Sequence, residues 1–228
     1  MMTFYTATGS YRMQKEYDRK VPYIQKLGKL HPISAFEFVI WSTLLWEIMT
    51  YDEAKTAYLE QTADLQMPVP DFDILLKNLL ARKLVTKGIG YTGRDALYNM
   101  LSNAFVVPCE LHRPKRLLTA VHLWLKGRIG LKDIITKVMA SGRLTEPERQ
   151  VMDLVDQTPL CMSEIVRCFD RGVTDVSTPD RLLDAIYTDE DTDQDRIARE
   201  SLFSANVDIV LEAVANLYLA RKIIIERA

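Results

Sequence analysis

The segment Lys87-Gly88-Ile89-Gly90-Tyr91-Thr92-Gly93-Arg94 spells G-x-G-x-x-G, the spacing with which a strand-to-helix loop holds a dinucleotide's pyrophosphate. Its surroundings fit part of that chemistry. An extended stretch precedes the glycines, a helical one follows, another extended run comes at Phe105, and Glu110 falls roughly where a ribose-binding acid would sit. The strand fits poorly. In a parallel sheet the first strand is covered on both faces and reads as a continuous apolar run, whereas Lys83-Leu84-Val85-Thr86-Lys87 is charged at both ends and can bury one face at most. Arg94 and Asp95 stand where helix-on-strand packing wants small apolar side chains, and no second strand-helix-strand unit follows. The glycines are therefore expected at the tip of a hairpin, where they supply positive φ angles. A dinucleotide-binding protein is the weakest of three functional readings.

No catalytic or metal-binding set emerges elsewhere. His31, His112 and His122 have no nucleophile motif beside them, and neither a P-loop nor H-E-x-x-H occurs. Cys109, Cys161 and Cys168 contain no C-x-x-C pair and are odd in number, which argues against a disulfide framework. Cys109, His112 and His122 fall short of the four closely spaced ligands of a structural zinc. Asp189, Asp191, Asp193, Asp195 and Glu200 are spaced as in a calcium loop, yet Gln194 stands where the turn requires glycine. An acidic helix N-terminus accounts for the same residues. A non-enzymatic protein without cofactor or metal is the expectation.

The elements that would position a binding surface follow from caps and periodicity. Ser34 with Glu37, Thr50 with Glu53 and Thr145 with Glu148 are capping boxes, each opening an amphipathic helix. Asp71 caps a third helix whose apolar face is Phe72, Leu75, Leu76, Leu79 and Leu80, followed by a strand at Leu84–Lys87 and the glycines. Helices are predicted over 114–125 and 131–139. In the second half, a helix over 162–171 stops at Gly172, and Asn206 caps a long one that runs into the strand-like Ile223–Ile225. Leu80-Ala81-Arg82-Lys83-Leu84-Val85 and Leu219-Ala220-Arg221-Lys222-Ile223-Ile224 echo each other, which supports a tandem arrangement.

Three helices, a strand and a glycine-rich turn in that order over Ser34 to about Val107 resemble a winged helix-turn-helix domain of bacterial transcription regulators. Leu144–Ala228 resembles a divergent second copy. The expected fold is mainly α with short β hairpins: tandem winged-helix-like domains joined by a helical linker. Its parts are a basic N-terminal arm over 1–30, a winged-helix domain over 31–108, the linker over 109–143, and a second domain over 144–228 with an acidic insertion at 173–204.

Charge separates the halves. Lys77–Arg143 carries thirteen Lys and Arg against three Asp and Glu, and Leu144–Ala228 carries nine against eighteen. The first suits a polyanion, and the second repels one. The resemblance implies a DNA-binding transcriptional regulator in which the third helix offers Lys77, Asn78 and Arg82, and the wing offers Lys87, Tyr91 and Arg94. Asp71 and Asp73 at that helix's start read as caps, though they would repel phosphate. Double-stranded DNA is the first expected partner, and a homodimer the expected assembly. The alternative is a winged-helix interaction module that binds protein through the acidic C-terminal half. Met1–Lys20 lacks an apolar segment of the kind a signal peptide carries, and Phe38–Trp46 is too short to cross a bilayer, so a cytoplasmic protein without membrane contact is expected.

Overall fold

A computed structural model describes residues 1–16, 19–109, 144–187 and 193–226, with the backbone alone at Arg19 and Lys20. The chain opens with four strands, β1 (Met2–Ala7), β2 (Ser10–Glu16), β3 (Arg19–Lys26) and β4 (Lys29–Pro32). Helices α1 (Ala35–Leu44), α2 (Tyr51–Thr62) and α3 (Phe72–Ala81) follow, then β5 (Val85–Gly90), α4 (Gly93–Leu101) and β6 (Phe105–Pro108). The second half contains α5 (Glu146–Val155), β7 (Leu160–Cys161), α6 (Met162–Arg171), α7 (Pro179–Ile186), α8 (Gln194–Ser201), α9 (Val207–Leu219) and β8 (Ile223–Glu226).

The expected mainly α fold is overturned. Among the described residues nine helices and eight strands form three small sheets, about 49% helix and 22% strand, so the architecture is mixed α/β. Most of the unexpected strand lies in the segment expected to be a basic arm. There β2 exposes every residue from Tyr11 to Glu16, and its apolar-polar alternation covers only Tyr11 to Gln14 before Lys15 and Glu16 break it. The wing is overturned as well. β5 does not fold back on itself; it pairs antiparallel with β1, from Met2 opposite Gly90 to Ala7 opposite Val85, and α4 begins at once. Gly88, Gly90 and Gly93 are not among the glycines with positive φ. Their lack of a side chain serves close packing instead, since a Cβ on Gly88 would lie 2.0 Å from the Ala96 carbonyl oxygen of α4. The expected helical linker, 109–143, lies outside the described residues except for Cys109.

The helix starts are local chemistry. Ser34, Thr50 and Thr145 each accept from a backbone N–H three residues on, and Glu37, Glu53 and Glu148 return the bond. Asp71 accepts from the Asp73 N–H at 2.7 Å. Gly172 ends α6 in the left-handed conformation, at φ 64°. Asn206 precedes α9 without a side-chain cap; its amide donates to Asp170 instead.

Two cores form. One gathers Ile24, Ile40, Trp41, Leu44, Tyr58, Phe72, Leu79 and Leu84 beneath α1–α3. The other gathers Met100, Leu101, Val151, Leu154, Ile165, Val210, Val214 and Ile223, so α4 and β6 pack with the second half of the chain. Around these cores one order of elements recurs. β1 lies between the bridge at Met49 and β5, as β6 lies between β7 and β8. Helices α1 and α2 flank Met49 as α5 and α6 flank β7, and α3 leads into β5 as α9 leads into β8. The Ser34, Glu37, Met49, Thr50 and Glu53 positions correspond to Thr145, Glu148, Leu160, Cys161 and Glu164 at constant spacing. Helices α3 and α9 close the same way. Arg82 N–H donates to the Asn78 carbonyl and Leu84 N–H to that of Leu79, as Ala220 N–H does to Asn216 and Lys222 N–H to Leu217. The register is therefore one residue off the spelled echo: Leu84 corresponds to Lys222, not to Ile223.

Candidate functional site

The six residues expected at the contact separate into two groups. Lys77 and Asn78 follow each other on the exposed side of α3, and their side chains make no hydrogen bond or ion pair among the described residues. Lys87 is exposed on β5, where it lies opposite Tyr5, and Tyr91, 86% exposed, follows the end of that strand. These four are available to a partner.

Arg82 and Arg94 are engaged in holding the fold. Arg82 Nη1 lies 3.4 Å from the nearly buried Glu37 carboxylate and Nη2 donates to the Pro32 carbonyl, so its guanidinium ties the end of α3 to the start of α1. Arg94 Nε donates to Asp208, linking the starts of α4 and α9. A free cation at either position would require breaking a contact inside the protein. Nothing in a linear sequence separates such an arginine from a phosphate-binding one, because Pro32 and Asp208 come near only in the fold.

The start of α3 is acidic but partly neutralised. Tyr51 donates to Asp73, whose carboxylate also lies 3.9 Å from Lys55 Nζ. That hydrogen bond holds the Tyr51 hydroxyl above its usual range. A polyanion would meet α3 best at Lys77 and Asn78, beyond the Asp71 and Asp73 carboxylates. Lysine is suited to phosphate there, and an asparagine amide can both donate to and accept from an adenine edge.

A second cationic surface lies in the segment expected to be irregular. Arg12 and Lys15 stand exposed on β2, in a hairpin whose register places Arg19 opposite Glu16 and Lys20 opposite Lys15. Lys26, by contrast, is nearly buried; burial and then the Lys83 charge lower its amine's pKa. His31 is also held below its usual range, by burial and then by Lys26, Arg82 and Lys29.

The halves meet through a buried polar contact. The Tyr218 hydroxyl is 2.8 Å from Thr6 Oγ1 and accepts from the Trp46 N–H at 2.9 Å. Trp46 Nε1 donates to the Ile223 carbonyl at 3.2 Å, and Arg221 lies over its ring. Beside this junction a cleft of about 660 Å³ is walled by Leu45, Trp46, Val107 and Ile224, with Arg12 and Glu226 among its polar groups.

No group of three His, Cys, Asp or Glu side chains suited to a metal occurs among the described residues. His112, His122 and Asp189–Asp191 of the two weighed metal sets lie outside them. Asp193 caps α8 and Glu200 pairs with Arg196 and Arg167, which gives both carboxylates structural partners. Cys109, Cys161 and Cys168 are thiols, not disulfides. Burial pushes Cys161 and Cys168 up to about 12, so neither forms a thiolate at neutral pH. Iodoacetamide at about pH 8 is expected to modify the half-exposed Cys109 and to spare the other two unless urea is added. Peptide mapping checks this, and rapid native labelling of Cys161 would refute the packing described.

The G-x-G spacing is accounted for by the β5–α4 contact. Among the described residues its strand has one sheet neighbour, the antiparallel β1. No helix among the described residues is long and apolar enough to cross a membrane. No known protein-family model, curated protein or solved structure matches the chain.

Proposed function

We propose that the protein is a non-catalytic regulator that binds double-stranded DNA through its first lobe, with Lys77, Asn78, Lys87 and Tyr91 at the contact. One observation carries the reading. Lys77 and Asn78 stand side by side on the exposed face of α3 with no partner among the described residues, while neighbouring arginines are held by carboxylates. Unpartnered lysines gain most from phosphate, because counterion release drives the association. A cytoplasmic location accompanies this reading.

A mixed-sequence duplex is the probe, with fluorescence anisotropy as the readout. Binding should weaken steeply with salt, and Lys77→Glu combined with Lys87→Glu should abolish it while leaving the far-UV spectrum unchanged. Arg94→Ala should act differently. It removes a fold contact to Asp208 and is expected to lower stability by under about 1 kcal/mol, as exposed ion pairs do, with little change in the salt slope. If the purified protein ignores duplex DNA at low salt, the reading fails.

A protein partner is the second reading. Helix α9, the counterpart of α3, exposes Asp208, Ile209, Glu212 and Asn216, and Phe203 just before it is 87% exposed. Acidic and apolar groups together suit a basic amphipathic protein surface better than a nucleic acid.

A further inference from the structure

The β7–β6–β8 sheet uses its two faces differently. Val106, Ile223 and Ile225 belong to the second core, so strand alternation turns Val107, Ile224 and Glu226 the other way. That second face floors the cleft of about 660 Å³ beside the lobe junction, a volume within the range of about 300 to 1,000 Å³ found for small-molecule sites. Val107 and Ile224, paired across the sheet, form its apolar side together with Leu45 and Trp46, which follow α1. Both lobes therefore contribute. Trp46 is held there at φ 60°, a costly conformation for a bulky residue and one that concentrates at binding sites.

The polar side comes from β2 and β3. Ser10 stands opposite Gln25 and Arg12 follows two residues on, so these three side chains share the face that lines the cleft, while Tyr11 turns the other way to Phe38 and Trp41. None of the three makes a side-chain hydrogen bond or ion pair among the described residues. Each can donate: a guanidinium, a hydroxyl and an amide. The cleft's carboxylates are placed otherwise. Glu226 accepts from the Leu27 N–H at 3.1 Å, and the Lys26 amine offsets its charge. Asp156 is exposed, and the Gln157 amide next to it already donates to the Asp153 and Thr174 carbonyls. A cation would find one solvated carboxylate there, whereas an anion finds three unpartnered donors on one face.

We infer that the cleft binds a small organic anion, whose carboxylate or sulfonate meets Arg12, Ser10 and Gln25 and whose apolar body lies on Val107, Ile224 and Trp46. The assignment stands apart from the DNA reading, since none of Lys77, Asn78, Lys87 and Tyr91 lines the cleft.

The test uses the full chain and two fluorescent probes, anilinonaphthalene sulfonate and phenylnaphthylamine, which share an apolar body and differ in the sulfonate. The sulfonate should bind at one site per chain and lose about tenfold or more in affinity in Arg12→Gln, the worth of one charge-assisted hydrogen bond, while both proteins hold phenylnaphthylamine equally. Val107→Phe, which fills the floor of the cleft, should weaken both probes. An Arg12→Gln protein that holds the sulfonate as tightly as wild type overturns the proposal, as does a wild type that binds none of it at about 1 mM. Sulfonate binding that Val107→Phe leaves untouched lies elsewhere and overturns it equally. Should Val107→Phe lose its near-UV spectrum, Arg12→Glu decides in its place: a carboxylate at that exposed position should weaken the sulfonate beyond the effect of Arg12→Gln and spare the amine, and equal effects of the two variants would overturn the assignment.

Discussion

Gly88→Ala is expected to lower the stability of the protein by about 3 kcal/mol or more, the upper end of what forcing an atom into a packed region costs. The reason is distance. A Cβ at this position would stand 2.0 Å from the Ala96 carbonyl oxygen, 2.6 Å from Met100 Cβ and 2.7 Å from the Met100 nitrogen. Two of those atoms are helix backbone, so no side-chain rotation relieves the overlap and α4 must lift away from β5. The effect then spreads. Tyr98, Met100 and Leu101 of α4 belong to the second core, the Tyr98 hydroxyl donates to the Ala198 carbonyl, and Arg94 holds Asp208. A clash on a strand of the first lobe therefore loosens the second. Gly28→Ala is the control: its φ is +74° with nothing near the added carbon, so its expected cost is only the left-handed backbone, about 1 kcal/mol. Urea unfolding followed by circular dichroism compares them. Equal midpoints for the two variants would show that helix and strand are not in the close contact described.

This pair of residues also shows what the sequence could and could not disclose. Capping boxes at Ser34, Thr50 and Thr145 were legible because a cap is a contact among residues three apart. Apolar spacing marked α3 and α9, and Gly172 marked the end of α6, for the same reason. Long-range pairing left no such trace. β5 pairs with β1 from the far end of the chain, and the glycines answer to α4, so G-x-G-x-x-G reads equally as a cofactor loop, a hairpin tip or a packing seam until the partner is seen. The β2–β3 ribbon was overlooked because the alternation of Tyr11 to Gln14 is short and Lys15 and Glu16 break it. At the candidate site, periodicity placed Lys77 and Asn78 on the exposed side of α3, whereas Lys87 and Tyr91 were assigned to a wing that does not form and are exposed on β5 and just past its end instead. Arg82 and Arg94 could not be told from them, because Glu37 and Asp208 are distant in sequence. The echo of Leu80–Val85 in Leu219–Ile224 marked a matching helix-to-strand passage, with a register that only the Leu79 and Leu217 carbonyl bonds reveal.

Tyr218→Phe is expected to lower stability by about 1 to 3 kcal/mol, the penalty for leaving a buried polar group without its partner. The hydroxyl belongs to α9 but serves the first lobe: it accepts from the Trp46 N–H at 2.9 Å and lies 2.8 Å from Thr6 Oγ1, within reach of the Ala7 carbonyl at 3.3 Å. Phenylalanine fills the same space and removes that acceptor. Thr6 loses less, since its hydroxyl also donates to the Glu47 carbonyl at 2.7 Å. Trp46 loses more: it sits at φ 60°, a left-handed conformation that a bulky residue adopts only when its surroundings hold it there. Burial holds the Tyr218 hydroxyl at about 12, against an ordinary 10.0, so the folded state keeps a proton that the unfolded state releases. Its contribution is complete below pH 10 and declines as pH rises from there towards 12. Tyr218→Phe should therefore be weaker than wild type at neutral pH and lose less on going to alkali, a narrowing of the difference that a pH-independent packing loss would not produce. Matched urea midpoints at about pH 7 and pH 11, the second lying between those two values, decide it.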